Sequence, residues 1–149
     1  AAAWRLRGSA GAGSCTVALV EPLKDVLDEA PAHLAMNGIS AMCQVKYFNR
    51  RAKTAFVDDL LRQLKSVDML HVDIQGAEAD LICNSKELHR VRHFFVGTHS
   101  RTIHKYLSKV LSMKGFQLEF DHPPLTLSMT RFGLVPFVDG VLAGSKDQR

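Results

Sequence analysis

The chain has no apolar run of about eighteen residues, so no segment is long enough to cross a bilayer as a helix. There is no Cys-x-x-Cys pair. The three cysteines, Cys15, Cys43 and Cys83, lie far apart, which indicates neither a zinc knuckle nor a disulfide framework. An odd number of isolated thiols suits a reducing compartment, so the cytoplasm is the expected location. Arg5 and Arg7 follow the apolar Ala1–Trp4 stretch, the reverse of the order in a signal peptide. No block of five like charges exists. The formal charge of +4 is spread along the chain, with only Arg50, Arg51 and Lys53 loosely grouped. That pattern describes a solvated surface better than a nucleic-acid footprint, and neither nucleic acid nor membrane is expected as a partner.

What is present is an ordinary globular composition. A chain of 149 residues, 46% apolar and 23% charged, can bury a core as one domain. Residues 1–15 are small, Gly-rich and unpatterned, and read as a flexible leader or the remnant of a truncated unit. Residues 16–142 carry the domain, and 143–149 form a tail. Within the domain, Thr16–Val20 reads as a buried strand ended by Glu21-Pro22. Leu23, Val26, Leu27, Ala30 and Leu34 follow at helical spacing, with Pro31 predicted to kink or split the helix and Asn37-Gly38 to end it. Met42–Phe48 is a strand, and Thr54 a candidate N-cap for a helix carrying Phe56, Leu60, Leu61 and Leu64. Val91–Val96 is another buried strand. Ile103, Tyr106, Leu107, Val110 and Leu111 mark a helix closed by Gly115. Phe116–Asp121 alternates as a strand, and two antiparallel strands are expected around Thr126–Arg131 and Val135–Leu142. Strand–helix alternation ending in a strand pair predicts an α/β fold with a mainly parallel sheet flanked by helices and an antiparallel edge.

The most informative stretch is Met69–Ile82. Met69–Ile74 is one strand long, Gln75-Gly76 breaks it, and Ala77–Ile82 reads as a helix. Such a unit sets polar side chains at the carboxyl edge of a sheet, where ligands bind in open α/β folds. Asp73 ends the strand, where it could orient a ligand or take a proton from a hydroxyl. Equally, it could accept the free N–H groups of the following helix. Glu78 could serve the site or only complement that helix's dipole. Glu21, after the first strand, could grip ribose hydroxyls or merely cap a strand end. His99 lies at the next carboxyl edge. With His71 and Asp73 it lacks the spacing of a metal motif, and no metal is expected. Gly8, Gly11 and Gly13 resemble a phosphate-cradling loop, but no buried strand precedes them and no helix follows.

Taken together, these pieces resemble a FkbM-type methyltransferase of the class I, S-adenosylmethionine-dependent group. The matching pieces are VALVEP (Val17–Pro22), DMLHVDIQGAE (Asp68–Glu78), GTHS (Gly97–Ser100), the aromatic-Asp-x-Pro stretch Phe120–Pro123 and DGV (Asp139–Val141), in that order across residues 16–142. The resemblance implies a Rossmann-like fold and transfer of a methyl group from S-adenosylmethionine to a hydroxyl of a sugar or small natural product. It implies that Glu21 holds the ribose and that Asp73, Gln75 and Glu78 line the cofactor's methyl end. Asp73 and His99 are the implied catalytic pair, and the acceptor pocket falls in loops such as Pro123–Pro136. The family's first strand, acidic Gly-rich loop and first helix have no counterpart here. Weak or absent cofactor binding by the 149-residue chain is therefore expected, and the alternative is a non-catalytic binding domain that keeps the fold.

Overall fold

A computed structural model describes residues 15–39 and 43–146. The described chain forms two compact units, divided between Ala52 and Lys53. The first contains β1 (Cys15–Val20), α1 (Lys24–Met36) and β2 (Cys43–Phe48). The strands pair in parallel from Cys15↔Cys43 to Val20↔Phe48, and α1 lies in the connection that a parallel pair requires. Pro31 does not split α1, which runs through it as one helix. Pro31 supplies no N–H to the helix ladder, and its ring crowds the carbonyl of Leu27 four residues before it. The cysteine expectation is corrected here. Cys15 and Cys43, 28 residues apart in sequence, are opposite one another in the register with Cα atoms 4.3 Å apart, and they form a disulfide. Sequence spacing could not reveal a bridge that parallel strand register creates. Among the described residues Cys83 is the free thiol.

The second unit comprises α2 (Thr54–Leu64), β3 (Val67–Val72), α3 (Glu78–Asn84), a 3-10 turn at Leu88–Arg90, β4 (Val91–Thr98), α4 (Arg101–Met113), β5 (Gln117–His122), β6 (Thr126–Thr130), β7 (Gly133–Phe137) and β8 (Gly140–Ser145). Its four-stranded sheet has the order β3-β4-β8-β5, and β6 and β7 form a separate antiparallel hairpin. The class is thus mixed α/β with four α-helices among the described residues. The parallel pairs are β1–β2 and β3–β4, whereas β8 runs antiparallel to both β4 and β5. The antiparallel portion is therefore larger than a terminal strand pair. The predicted Val135–Leu142 strand is two strands, because the chain leaves the hairpin after Phe137 and enters the sheet at Gly140. β8 then continues to Ser145, past the boundary expected at Leu142.

The core of this unit follows the apolar periodicity. Val91, Phe94 and Val96 of β4 and Leu142 of β8 are buried with Leu107 and Leu111 of α4, Leu81 and Ile82 of α3, and Leu60 and Leu61 of α2. Phe94 and Phe116 meet edge to face at 4.9 Å. Lys53, with no side-chain cap bond, is the N-cap of α2 rather than Thr54. The Thr54 hydroxyl instead donates to Asp80 of α3 at 3.2 Å. Within α2, buried Asp58 accepts from the Ser85 hydroxyl at 2.5 Å and the Lys86 amide at 3.1 Å, joining α2 to the end of α3. Burial pushes this carboxyl up, but those donors, the Glu87 amide and the Arg62 charge outweigh it and hold it below its usual value.

Candidate functional site

The parallel pairing of β3 and β4 brings the ends of both strands to one edge, so that Asp73 follows β3 and His99 follows β4. The intervening Ile74–Ala77 turn needs left-handed backbone at Gln75 (φ 54°) and Gly76 (φ 95°). The anion that organises it is Glu78, the first residue of α3 and fully buried. Its Oε1 accepts the Ile74 amide at 3.2 Å and the Gly76 amide at 3.0 Å, and its Oε2 accepts Gly76 again at 2.9 Å. A fully buried carboxylate is expensive unless such donors and a counter-charge satisfy it. Asp73, which could equally have accepted the free N–H groups of α3, does not do so among the described residues. In the structure Asp73 is half-exposed, at 49%, and Glu78 takes both the burial and the amide-accepting role.

His99 lies between the two acids. Its Nδ1 is 3.1 Å from Glu78 Oε1 and its Nε2 is 3.4 Å from Asp73 Oδ1. Nδ1 is buried without a hydrogen-bond partner among the described residues, because its approach to Glu78 is off the line such a bond requires. Gly97 makes this packing possible. A Cβ there would meet the Asp73 carboxyl carbon at 3.2 Å, closer than side chains ordinarily pack. Donor atoms of Asp73, Glu78 and His99 lie within 4.8 Å of one another, close enough to share a cation, although Glu78 already serves two backbone amides. His71 is not part of this cluster; its exposed ring meets Phe95 edge to face.

Sequence reasoning missed a second cluster, which begins at Thr98, the residue before His99. His104 of α4 is buried, with Nδ1 2.8 Å from Thr98 Oγ1 and Nε2 2.7 Å from Asp121 Oδ1. The other Asp121 oxygen accepts from Ser108 at 2.9 Å. Thr98 is fully buried, and Gly140 is packed against the pair so tightly that a Cβ there would strike Thr98, Pro124 Cδ (2.6 Å) and His104 Nδ1 (2.8 Å). The GTHS stretch is thereby explained residue by residue. Gly97 makes room for Asp73, Thr98 holds His104, His99 faces the acids, and Ser100 caps α4 by accepting the Ile103 amide at 3.1 Å. His104 lies three residues before Leu107 and seven before Leu111, the core spacing of α4, and that was the available signal. A cavity of about 340 Å³ flanks this network, lined by Arg101, His104, Lys105, Asp121 and Thr126.

Of the remaining predicted residues, Gln75 is exposed at the turn tip beside Asp73. Glu21 belongs to the first unit, where its carboxylate accepts the Leu23 amide at 2.8 Å and its carbonyl accepts the Asn49 side chain at 3.1 Å. These are the contacts of a residue capping a strand end. The Gly8–Gly13 stretch lies outside the described residues.

A curated protein of Jannaschia sp. (strain CCS1), described as "Putative methyltransferase", is 40% identical to this chain over 88 residues. The match takes in 58% of this chain and 31% of that protein, so the chain spans less than a third of the relative's length. The chain is thus similar to a methyltransferase. No family model and no solved structure matches it. No helix among the described residues is long and apolar enough to cross a membrane.

Proposed function

We propose that the chain carries the methyl-transfer edge of an S-adenosylmethionine-dependent O-methyltransferase of the FkbM type, with a Rossmann-like fold and a hydroxyl of a sugar or small natural product as acceptor. The observation that carries this reading is the Asp73–His99–Glu78 cluster at the shared carboxyl edge of β3 and β4. The donor set fits the cofactor, since a half-exposed and a buried carboxylate make the edge negative and a sulfonium is a cation. Asp73, Gln75 and Glu78 would hold its methyl end, and the cofactor would supply an electrophilic methyl group. The chain's own residues supply alignment and proton transfer. With Nδ1 enclosed on the Glu78 side, His99 presents Nε2 as the base for the acceptor hydroxyl. Asp73, 3.4 Å from Nε2, orients that hydroxyl and stabilises the imidazolium formed. Glu78 holds the turn in place through Ile74 and Gly76.

The test is nuclear magnetic resonance titration of the 149-residue chain with S-adenosylhomocysteine to millimolar concentration, a range suited to the weak binding expected here. Shifts confined to residues 73–78 and His99, and lost in Asp73→Asn, support the reading. Saturating ligand that leaves those resonances unmoved overturns it.

A further inference from the structure

The two units differ in what holds them together. Of the buried apolar side chains among the described residues, Leu27 belongs to the first unit and all the others to the second. On α1, Val26 and Met36 are 52% and 85% exposed, and no residue of β1 or β2 is buried. A unit with so little core does not hold its chain by burial. A ladder of two strands adds little, because it has no third strand to support it.

Its remaining ties lie at the two ends of the ladder. At the carboxyl ends, the Glu21 amide donates to the Phe48 carbonyl at 3.1 Å. The Asn49 side chain there donates to the carbonyls of Glu21 and Pro22, each at 3.1 Å. At the amino ends, Cys15 and Cys43 are the first pair of the register and carry the disulfide. That bond closes a loop with a sequence separation of 28, and α1 lies inside it. Without the bond, ordering this loop costs chain entropy that one buried leucine does not offset. Both cysteines are partly exposed, so a thiolate from solution can reach the bond.

We propose that the Cys15–Cys43 bridge is a redox control site, at which reduction by a dithiol unfolds the first unit and leaves the second folded. One thiolate of the dithiol attacks either sulfur, the Cys15–Cys43 bond breaks and a mixed disulfide forms. The dithiol's second thiolate then displaces the protein sulfur. In sum the protein gains two electrons and two protons as two thiols, and the reductant leaves as its own disulfide. β1, α1 and β2 then pass from ordered to open, and Glu21 loses its place at the strand end. The Asp73, Glu78 and His99 cluster lies in the second unit, whose buried core needs no bridge. One chain thus has two forms, set by the thiol–disulfide balance of its surroundings. The proposal rests on the first unit alone and does not need the methyl-transfer reading.

Hydrogen exchange of the air-oxidised 149-residue chain, read by mass spectrometry with and without dithiothreitol, tests it. Thiol titration in denaturant should find one free thiol before reduction and three after. On reduction the amides of β1, α1 and β2 should exchange about a hundredfold faster, the size expected when such a loop is released. Those of β3, β4, α4 and β8 should not change. The Cys15→Ser/Cys43→Ser double variant should match the reduced parent without any reductant. Cys83→Ser should respond to dithiothreitol as the parent does, and reoxidation of the parent should restore slow exchange. Three free thiols in the air-oxidised chain overturn the proposal. So does a fully reduced chain whose first unit exchanges as slowly as before, or one in which both units open together.

Discussion

His99 and His104, five residues apart, each lie against a carboxylate, yet their surroundings are opposite. His104 is buried with both ring nitrogens engaged, by Thr98 on one side and Asp121 on the other. His99 has two acids within 3.4 Å, but its buried Nδ1 has no hydrogen-bond partner among the described residues. A histidine whose hydrogen-bonding capacity is filled adds to stability and has nothing left for a ligand. One held at the wrong angle beside two carboxylates, one of them half-exposed, keeps hydrogen-bonding capacity that the fold does not use. Residue type alone does not separate the two settings; satisfaction does.

The largest effect should come from breaking the filled member. His104→Ala strands the Thr98 hydroxyl and leaves a cavity, and should cost about 2–4 kcal/mol in urea unfolding. His99→Ala, which removes no hydrogen bond made within the described residues, should cost under about 1 kcal/mol. Similar losses for both would erase the distinction.

Asp58 extends the comparison to a buried carboxylate with all its donors. Asp58→Asn should lose about 1–3 kcal/mol at neutral pH. The carboxyl is held below its ordinary value of 3.8, so its contribution is present above that pH and is lost as pH falls through the lower folded value. Unfolding curves of parent and variant should converge in acid; a constant gap would contradict the assignment.

The two glycines should differ in the same way. An added methyl at Gly140 meets Thr98, the Pro124 ring and His104, and Gly140→Ala should cost about 1–3 kcal/mol. At Gly97 the methyl meets only the half-exposed Asp73 side chain, which can shift. Gly97→Ala should therefore cost less than about 1 kcal/mol in thermal denaturation while moving the Asp73 carboxylate. Equal melting temperatures for the two variants would count against the packing described.

Much of this organisation was legible in the chain. The apolar periodicity of α4, the strand before Asp73 and the helix after Gly76 each depend on local spacing, and local spacing is what a sequence displays. The convergence of Asp73, Glu78 and His99 was half legible, because a parallel strand pair brings their elements to one edge. Their division of labour was not. Burial of Glu78 in place of Asp73 follows from the chain reversing at Gln75-Gly76 and folding the later acid back over its own turn. The Cys15–Cys43 bridge, the place of β8 between β4 and β5, and the Thr98–His104–Asp121 network all rest on contacts between residues distant in sequence. No periodicity reports those.

The grip of Glu78 on the Ile74 and Gly76 amides has a consequence for motion. Loops at ligand edges are usually among the first segments to open, and their amides exchange quickly with solvent. Here two amides of a four-residue turn end on a carboxylate that solvent does not reach. The Ile74 and Gly76 amides should therefore exchange as slowly as those of the helix the turn leads into, and hydrogen exchange would show it.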